Sequence, residues 1–316
     1  MDLWVGVGGF VVGVIVGLTG MGGGALMTPL LVLVFGVPPL SAVSSDLVAS
    51  AIMKPFGGAV HLRRGTVDKA LVGWLCAGSI PAAFGGVFIA KALKGDGVQQ
   101  TIQYALGGAL LLAASGLIIK VYLGIRAQGR AAAGLAEAVE DDHAPVRVRV
   151  IPTVLVGMVG GLVVGVTSVG SGSLIVIALM ALYPRLHPHR LVGTDLVQAV
   201  PLVASAAVAH LLFGDFKLGL TVTLVAGAVP GVLLGAAVST RAPAGIIRAA
   251  LTVVLVASGA KLLGASTPVV GALALGLLIA LPVVWMLVRR MAGLPALPAR
   301  TPAPAPAEPE PVAAAN

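Results

Sequence analysis

The chain contains one cysteine, Cys76, and few charges or aromatic rings: 10% of its 316 residues are Asp, Glu, Lys or Arg, and 4% are Phe, Trp or Tyr. A lone cysteine excludes an internal disulfide and any multi-cysteine metal centre. Soluble proteins carry about a quarter charged residues, so this chain lacks the side chains to clothe a water-facing surface. In their place stand hydrophobic residues, 58% of the total, with a mean hydropathy of +1.05. The solvent for this much apolar surface is lipid, and the bilayer is the expected partner. The formal charge of +8 does not signal nucleic acid, because the basic residues are scattered over short loops with few aromatics beside them. Also missing are H-E-x-x-H and G-x-S-x-G patterns, paired catalytic carboxylates and a Walker motif, so neither an enzyme nor an ATP-driven pump is expected, and no cofactor or metal. His187 and His189 in "PRLHPHR" are a weak metal pair, split by proline and without an acidic partner.

The apolar residues fall into nine segments: 3–35, 42–60, 70–90, 102–119, 151–183, 191–213, 218–238, 246–263 and 269–288. These predict an all-α polytopic membrane protein. The expected divisions are a first membrane repeat over 1–124, a cytoplasmic linker over 125–150, a second repeat over 151–264, a ninth transmembrane helix over 265–290 and a Pro/Ala tail over 291–316. Alternating Pro and Ala cannot bury a core, so the tail is expected to be extended and solvated.

The halves are copies. "GVIVGLTGMGGGALMTPLLVLVFG" from Gly13 matches "GLVVGVTSVGSGSLIVIALMALYP" from Gly161 at an offset of 148. The second copy then gains one residue and the offset becomes 149, pairing Asp46 with Asp195, His61 with His210, Pro81 with Pro230 and Gly86 with Gly235. Glycine, aspartate, histidine and proline kept in register point to duplication of a four-segment unit.

Residues 3–35 as one straight helix would measure about 50 Å against a hydrocarbon core of about 30 Å. Glycines at the middle of this segment and of its copy predict a break into two short helices. If each broken segment folds back to its starting side, Lys91, Lys94, Lys217 and Lys261 face one way, Lys54 stays inside, and the remaining fifteen basic residues face the other. If each crosses, the split is ten to nine. The positive-inside rule selects folding back, with the N-terminus outside and the linker and C-terminus in the cytoplasm. Three crossings per unit then make the repeats inverted, a plan common in secondary transporters.

Broken helices at membrane depth expose backbone groups that only protein or a watered cavity can satisfy. A helix beginning there offers free N–H groups and a positive dipole end to an anion. Thr19, Gly20, Gly22, Gly23 and Gly24 in the first half, and Thr167, Ser168, Gly170, Ser171, Gly172 and Ser173 in the second, are therefore candidate substrate-binding residues. Glycines in such runs also serve simply to let helices approach. The next helix of each half adds Ser50, Lys54 and Gln198. A lysine at mid-span costs about 2.5–3.5 kcal/mol to insert and requires a partner. Ser45 with Asp46, and Thr194 with Asp195, fit either coupling-ion sites or helix N-caps. His61 and His210 fit proton relays or interfacial anchors. The run "GMGGGA" matches a dinucleotide-binding pattern, but its flanks are a membrane span rather than a strand and a helix.

The duplicated "GLTGMGGGALMTPLL" and "GVTSVGSGSLIVIAL" elements, with the Ser-Asp and Thr-Asp openings that follow, resemble the TauE/SafE sulfite exporter family, also called the toluene sulfonate uptake permease family, over Val5 to Leu263. The resemblance implies transport of a small anion such as sulfite or a sulfonate across the bacterial inner membrane, coupled to an ion gradient of protons or sodium; the inverted repeats add the expectation of alternating access. Ser168 and Ser171 stand where the first half has Gly20 and Gly23, which breaks the symmetry of any shared site. Two other readings stay open at this point: a cation transporter using Asp46 and Asp195, and an intramembrane sulfur-handling enzyme or subunit.

Overall fold

The computed structural model describes residues 3–19, 23–63, 65–92, 98–134, 146–170, 172, 174–184, 186–238 and 244–295. These form eleven helices and no strand. The first half holds α1 (Leu3–Thr19), α2 (Gly24–Leu33), α3 (Pro39–Arg63), α4 (Lys69–Ala92) and α5 (Val98–Ala132). The second holds α6 (Val150–Thr167), α7 (Leu174–Leu182), α8 (Pro188–Phe213), α9 (Leu218–Val238) and α10 (Ala244–Leu262), and α11 (Thr267–Met291) follows. Seven of the helices are long and apolar enough to cross a membrane. Helix α3 has the length, but Ser41, Ser44, Ser45, Asp46, Ser50 and Lys54 make it too polar to count among them. Those first four residues are fully buried, so the polarity of α3 faces protein. Helix α5 continues to Ala132, where Ala, Arg and Gln favour helix outside the lipid. Residues 135–145 of the expected linker and 296–316 of the expected tail lie outside the described residues.

Both first segments break, and both double back. Leu30 and Phe35 reach Gly8, so the chain beyond the first break returns along α1. In the second half Tyr183, just past α7, hydrogen-bonds at the start of α6: its hydroxyl accepts from Arg149 N at 2.9 Å and meets Thr153 Oγ1 at 2.6 Å. An element that crossed the bilayer would hold these ends a membrane thickness apart. Each is instead a helical hairpin.

The hairpins pack across the halves. The two most extensive helix contacts are α1 with α9 and α6 with α4. They are built from equivalent residues. A Cβ on Gly13 would lie 2.4 Å from the Ala228 carbonyl oxygen, and one on Gly161 would lie 2.4 Å from that of Ser79. Gly9 and Gly17 in α1 meet α9 carbonyls in the same way, and Gly157 and Gly165 meet those of α4. Every residue here keeps the 148 or 149 offset of the sequence repeat. Backbones this close gain dispersion and weak C–H···O contacts that lipid cannot supply. The half-one hairpin thus packs on half two, and the half-two hairpin packs on half one through the corresponding positions.

Helices α3 and α8 cross at the centre, antiparallel: Ser44 meets His210 at one end, and Gly58 meets Leu196 and Val200 at the other. Buried apolar residues pack around them in clusters, one about Leu47, Leu71, Leu179 and Leu202 and another about Met27, Leu31, Ala49 and Leu224. Helix α11 lies outside, and Arg289 alone of its residues is buried.

Candidate functional site

Helix α6 ends because Ser168 adopts a left-handed conformation, φ +59°. That region costs a non-glycine residue roughly 1–2 kcal/mol, and here it turns the chain toward the other half. A Cβ on Gly24 would lie 1.8 Å from the Ser168 carbonyl oxygen. The second turn of one hairpin therefore touches the first turn of α2 in the other, a contact only glycine permits. Gly170 and Gly172 complete the turn with φ of +120° and +107°.

Asp46 lies beneath this junction. Its Oδ2 accepts from Thr28 Oγ1 at 2.6 Å and its Oδ1 from Ser50 Oγ at 3.3 Å. Gly23, at the start of α2, faces the same carboxylate and Ser50. The carboxyl group of Asp46 thus occupies the α2 tip, where free N–H groups and the helix dipole favour negative charge. Its partner is held differently. Asp195 Oδ1 accepts from Gln198 Nε2 at 3.1 Å, and Gln198 Oε1 accepts from Ser79 Oγ at 3.3 Å. The two aspartates, with Gln198, are fully or almost fully buried.

Lys54 interacts electrostatically with both aspartates. The antiparallel crossing explains how. Met53 and Leu202 are repeat mates near the middle of the α3–α8 crossing, and Lys54 is one residue away, so its ammonium is within electrostatic reach of carboxylates contributed by opposite halves. Val203 takes the mate position, and no second lysine is needed there. Lys120 of α5 adds a further positive charge to the field at Asp195.

Neither aspartate caps a helix. Helices α3 and α8 begin at Pro39 and Pro188, nearly two turns before Asp46 and Asp195, because proline fits the first turn of a helix and sets its start upstream. Thr194 Oγ1 instead accepts from the backbone N of Asp68 at 3.0 Å, beside an Arg190–Asp68 ion pair at 3.2 Å. The Ser45 hydroxyl is buried without a hydrogen-bond partner among the described residues. Thr19 and Thr167 donate to their own helices, to Ile15 O and Val163 O.

The histidines separate. His210 is fully buried, with Nε2 at 2.8 Å from the Gly165 carbonyl and Nδ1 at 2.8 Å from Ser44 Oγ. A carbonyl only accepts, so Nε2 carries a proton and satisfies one of the last carbonyls of α6. His210 therefore ties α3 to the second hairpin and is no interfacial anchor. His61 pairs with Thr66 Oγ1 at 2.9 Å. The His187 and His189 rings lie 5.2 Å apart between centroids, tilted 44° to each other. No group of three or more metal-ligating side chains occurs among the described residues. Gly20, Gly22, Ser171 and Ser173 lie outside the described residues.

The family described as "Sulfite exporter TauE/SafE" matches residues 5–262. The chain belongs to this family. It is 36% identical over 264 residues to the probable membrane transporter protein YjnA of Bacillus subtilis (strain 168), covering 81% of this chain and 97% of the relative. It is 25% identical over 254 residues to the probable membrane transporter protein YdhB of the same organism, covering 80% and 97%. No solved structure matches. The chain is thus a multi-pass membrane protein of a transporter family.

Within this TauE/SafE chain, sequence reasoning reached Asp46, Ser50, Lys54, Asp195 and Gln198 but missed Thr28, Ser79 and Lys120. Thr28 faces Val176 across the repeat and Ser79 faces Ala228, so duplication gave no signal. Lys120 looked like one more basic residue at a helix end.

Proposed function

We propose that the protein is a secondary transporter of a small anion, sulfite or a related sulfonate or organic anion, bound beside Lys54 and carried by alternating access. The observation that carries this reading is the meeting of the two hairpin turns, Gly24 against Ser168, over the buried carboxyl group of Asp46, with Lys54 within electrostatic reach of Asp46 and of buried Asp195. With both aspartates ionised, Lys54 and Lys120 are matched charge for charge and no cation is left over for an anion. Taking up a proton at Asp46 or Asp195 leaves one positive charge in excess and lets Lys54 turn to the substrate. Anion and proton then enter together, which is symport chemistry. The Ser45 hydroxyl, costly to bury unpaired, and the Gln198 amide are further donors for an oxyanion. Rocking one repeat against the other around this fixed point would open it to each side in turn. Inverted repeats, an outside N-terminus and a cytoplasmic C-terminus complete the reading.

A second reading is supported by Asp46 with the hydroxyls of Thr28 and Ser50, an all-oxygen set suited to sodium as the coupling ion. Proteoliposomes test both. Sulfite or sulfonate flux driven by an imposed pH gradient, absent in Lys54→Met and Asp46→Asn, supports proton coupling. Flux that follows a sodium gradient instead favours the second reading. Undiminished flux in Lys54→Met removes the site assignment.

A further inference from the structure

Where α11 ends, it leans on the end of α5. A Cβ on Gly129 would lie 2.4 Å from the Ala292 carbonyl oxygen, so this contact is as close as those within the transport body. Beside it opens a cavity of about 300 Å³ lined by Arg126, Gly129, Arg130, Ala133, Met291 and Ala292. Arg126 and Arg130 are four residues apart on one face of α5, an arrangement of like charges that destabilises a helix. Both are exposed, and no carboxylate pairs with either among the described residues. Arg289 is otherwise engaged: its Nε donates to the Pro295 carbonyl at 2.9 Å and its guanidinium lies 4.9 Å from the Trp285 ring.

We infer that this crevice binds the phosphate headgroup of an anionic phospholipid. Three observations select lipid over a free anion. Tyr122, with the Arg126 guanidinium 5.1 Å over its ring, and Trp285 stand one turn deeper than the arginines, where interfacial aromatics mark headgroup depth. Side chains on a helix tilt toward its N-terminus, so Arg126 and Arg130 lean to that same depth. Immediately around them Leu123, Leu287 and Met291 are exposed, Met291 at 87%, leaving an apolar skirt for acyl chains under a headgroup held by two guanidiniums. Arginine forks match phosphate oxygens in pairs. The lipid would pin the peripheral helix to the first repeat, a role independent of what the protein transports.

The test uses the full chain in non-ionic detergent, offered phosphatidylglycerol or phosphatidylcholine, with retained lipid read by native mass spectrometry. Wild type is expected to retain phosphatidylglycerol and not phosphatidylcholine. Arg126→Gln/Arg130→Gln lowers retention roughly tenfold or more, each arginine near a membrane surface being worth about one kilocalorie, whereas Lys217→Gln/Lys261→Gln leaves it unchanged. Ala133→Glu, which supplies an internal carboxylate and keeps both arginines, also abolishes retention. Equal retention of the two lipids, retention undiminished in both crevice variants, or displacement by excess inorganic phosphate overturns the inference.

Discussion

Tyr183 and Thr153 are joined hydroxyl to hydroxyl at 2.6 Å, although one follows the last turn of α7 and the other lies in the first turn of α6. The pair closes the second hairpin at its open end, as the Ser168 turn closes it at the other.

Removing that clasp should loosen the hairpin without unfolding the chain. Tyr183→Phe leaves the Arg149 N–H without its acceptor, while the Thr153 hydroxyl keeps its bond to the Arg149 carbonyl at 2.7 Å, a cost of about 1–3 kcal/mol. A lower melting temperature in detergent, with unchanged helicity by circular dichroism, is the expected result. No change in melting would mean that water replaces the tyrosine.

The glycine contacts between halves make a matched pair of predictions. Gly13→Ala and Gly161→Ala each drive a methyl group onto a carbonyl of the opposing helix, and overpacking of this kind costs about 1–3 kcal/mol. Gly73→Ala, with open space at its Cβ, should be neutral or slightly stabilising. Yield of monodisperse protein on size-exclusion chromatography ranks the three.

Thr28 is predicted to matter for transport more than for folding. Thr28→Val keeps the volume and removes a hydrogen bond to Asp46, and bonds to charged groups are worth about 1.5–3 kcal/mol. Flux in proteoliposomes should fall about tenfold or more, with Thr28→Ser close to wild type. Equal flux in all three would place the Asp46 pocket outside the transport cycle.

His210→Phe strips the Gly165 carbonyl of its side-chain donor and removes the tie to Ser44, whose hydroxyl keeps its bond to the Leu40 carbonyl. Destabilisation of about 1–3 kcal/mol is expected, partly restored by His210→Gln, whose amide can still donate to the carbonyl. Denaturant titration of tryptophan fluorescence provides the measurement.

Topology is checked by single cysteines in a Cys76→Ala background. A cysteine at Lys217 should react with an impermeant maleimide in intact cells, and one at Ala133 should react only after permeabilisation. The reverse pattern would invert the orientation.

The break and return of both first segments were legible because length, glycine placement and loop charge all pointed one way. The pair Asp46 and Lys54 was legible because ionisable groups are rare in such a helix. Hydrogen-bond partners were not: whether Asp46 lies under Thr28 or over a cap depends on how α2 is aimed, which no local pattern records. The start of α3 was misjudged for a related reason. Ser44, Ser45 and Asp46 are good capping residues, and only burial against α2, α8 and α9 lets a helix carry all three in its interior. Helix α5 overran its expected end at Ile119 because hydropathy reports where lipid stops, and helices continue into water when composition allows.

The exchange of hairpins, α1 against α9 and α6 against α4, bears on how the protein is made. The α1 hairpin leaves the ribosome first, yet its glycine face stays bare until α9 has been synthesised, so the early helices must wait in the bilayer or with an insertion chaperone. A half of this chain alone would leave its hairpin's glycine face bare, because the helix that covers it comes from the other half.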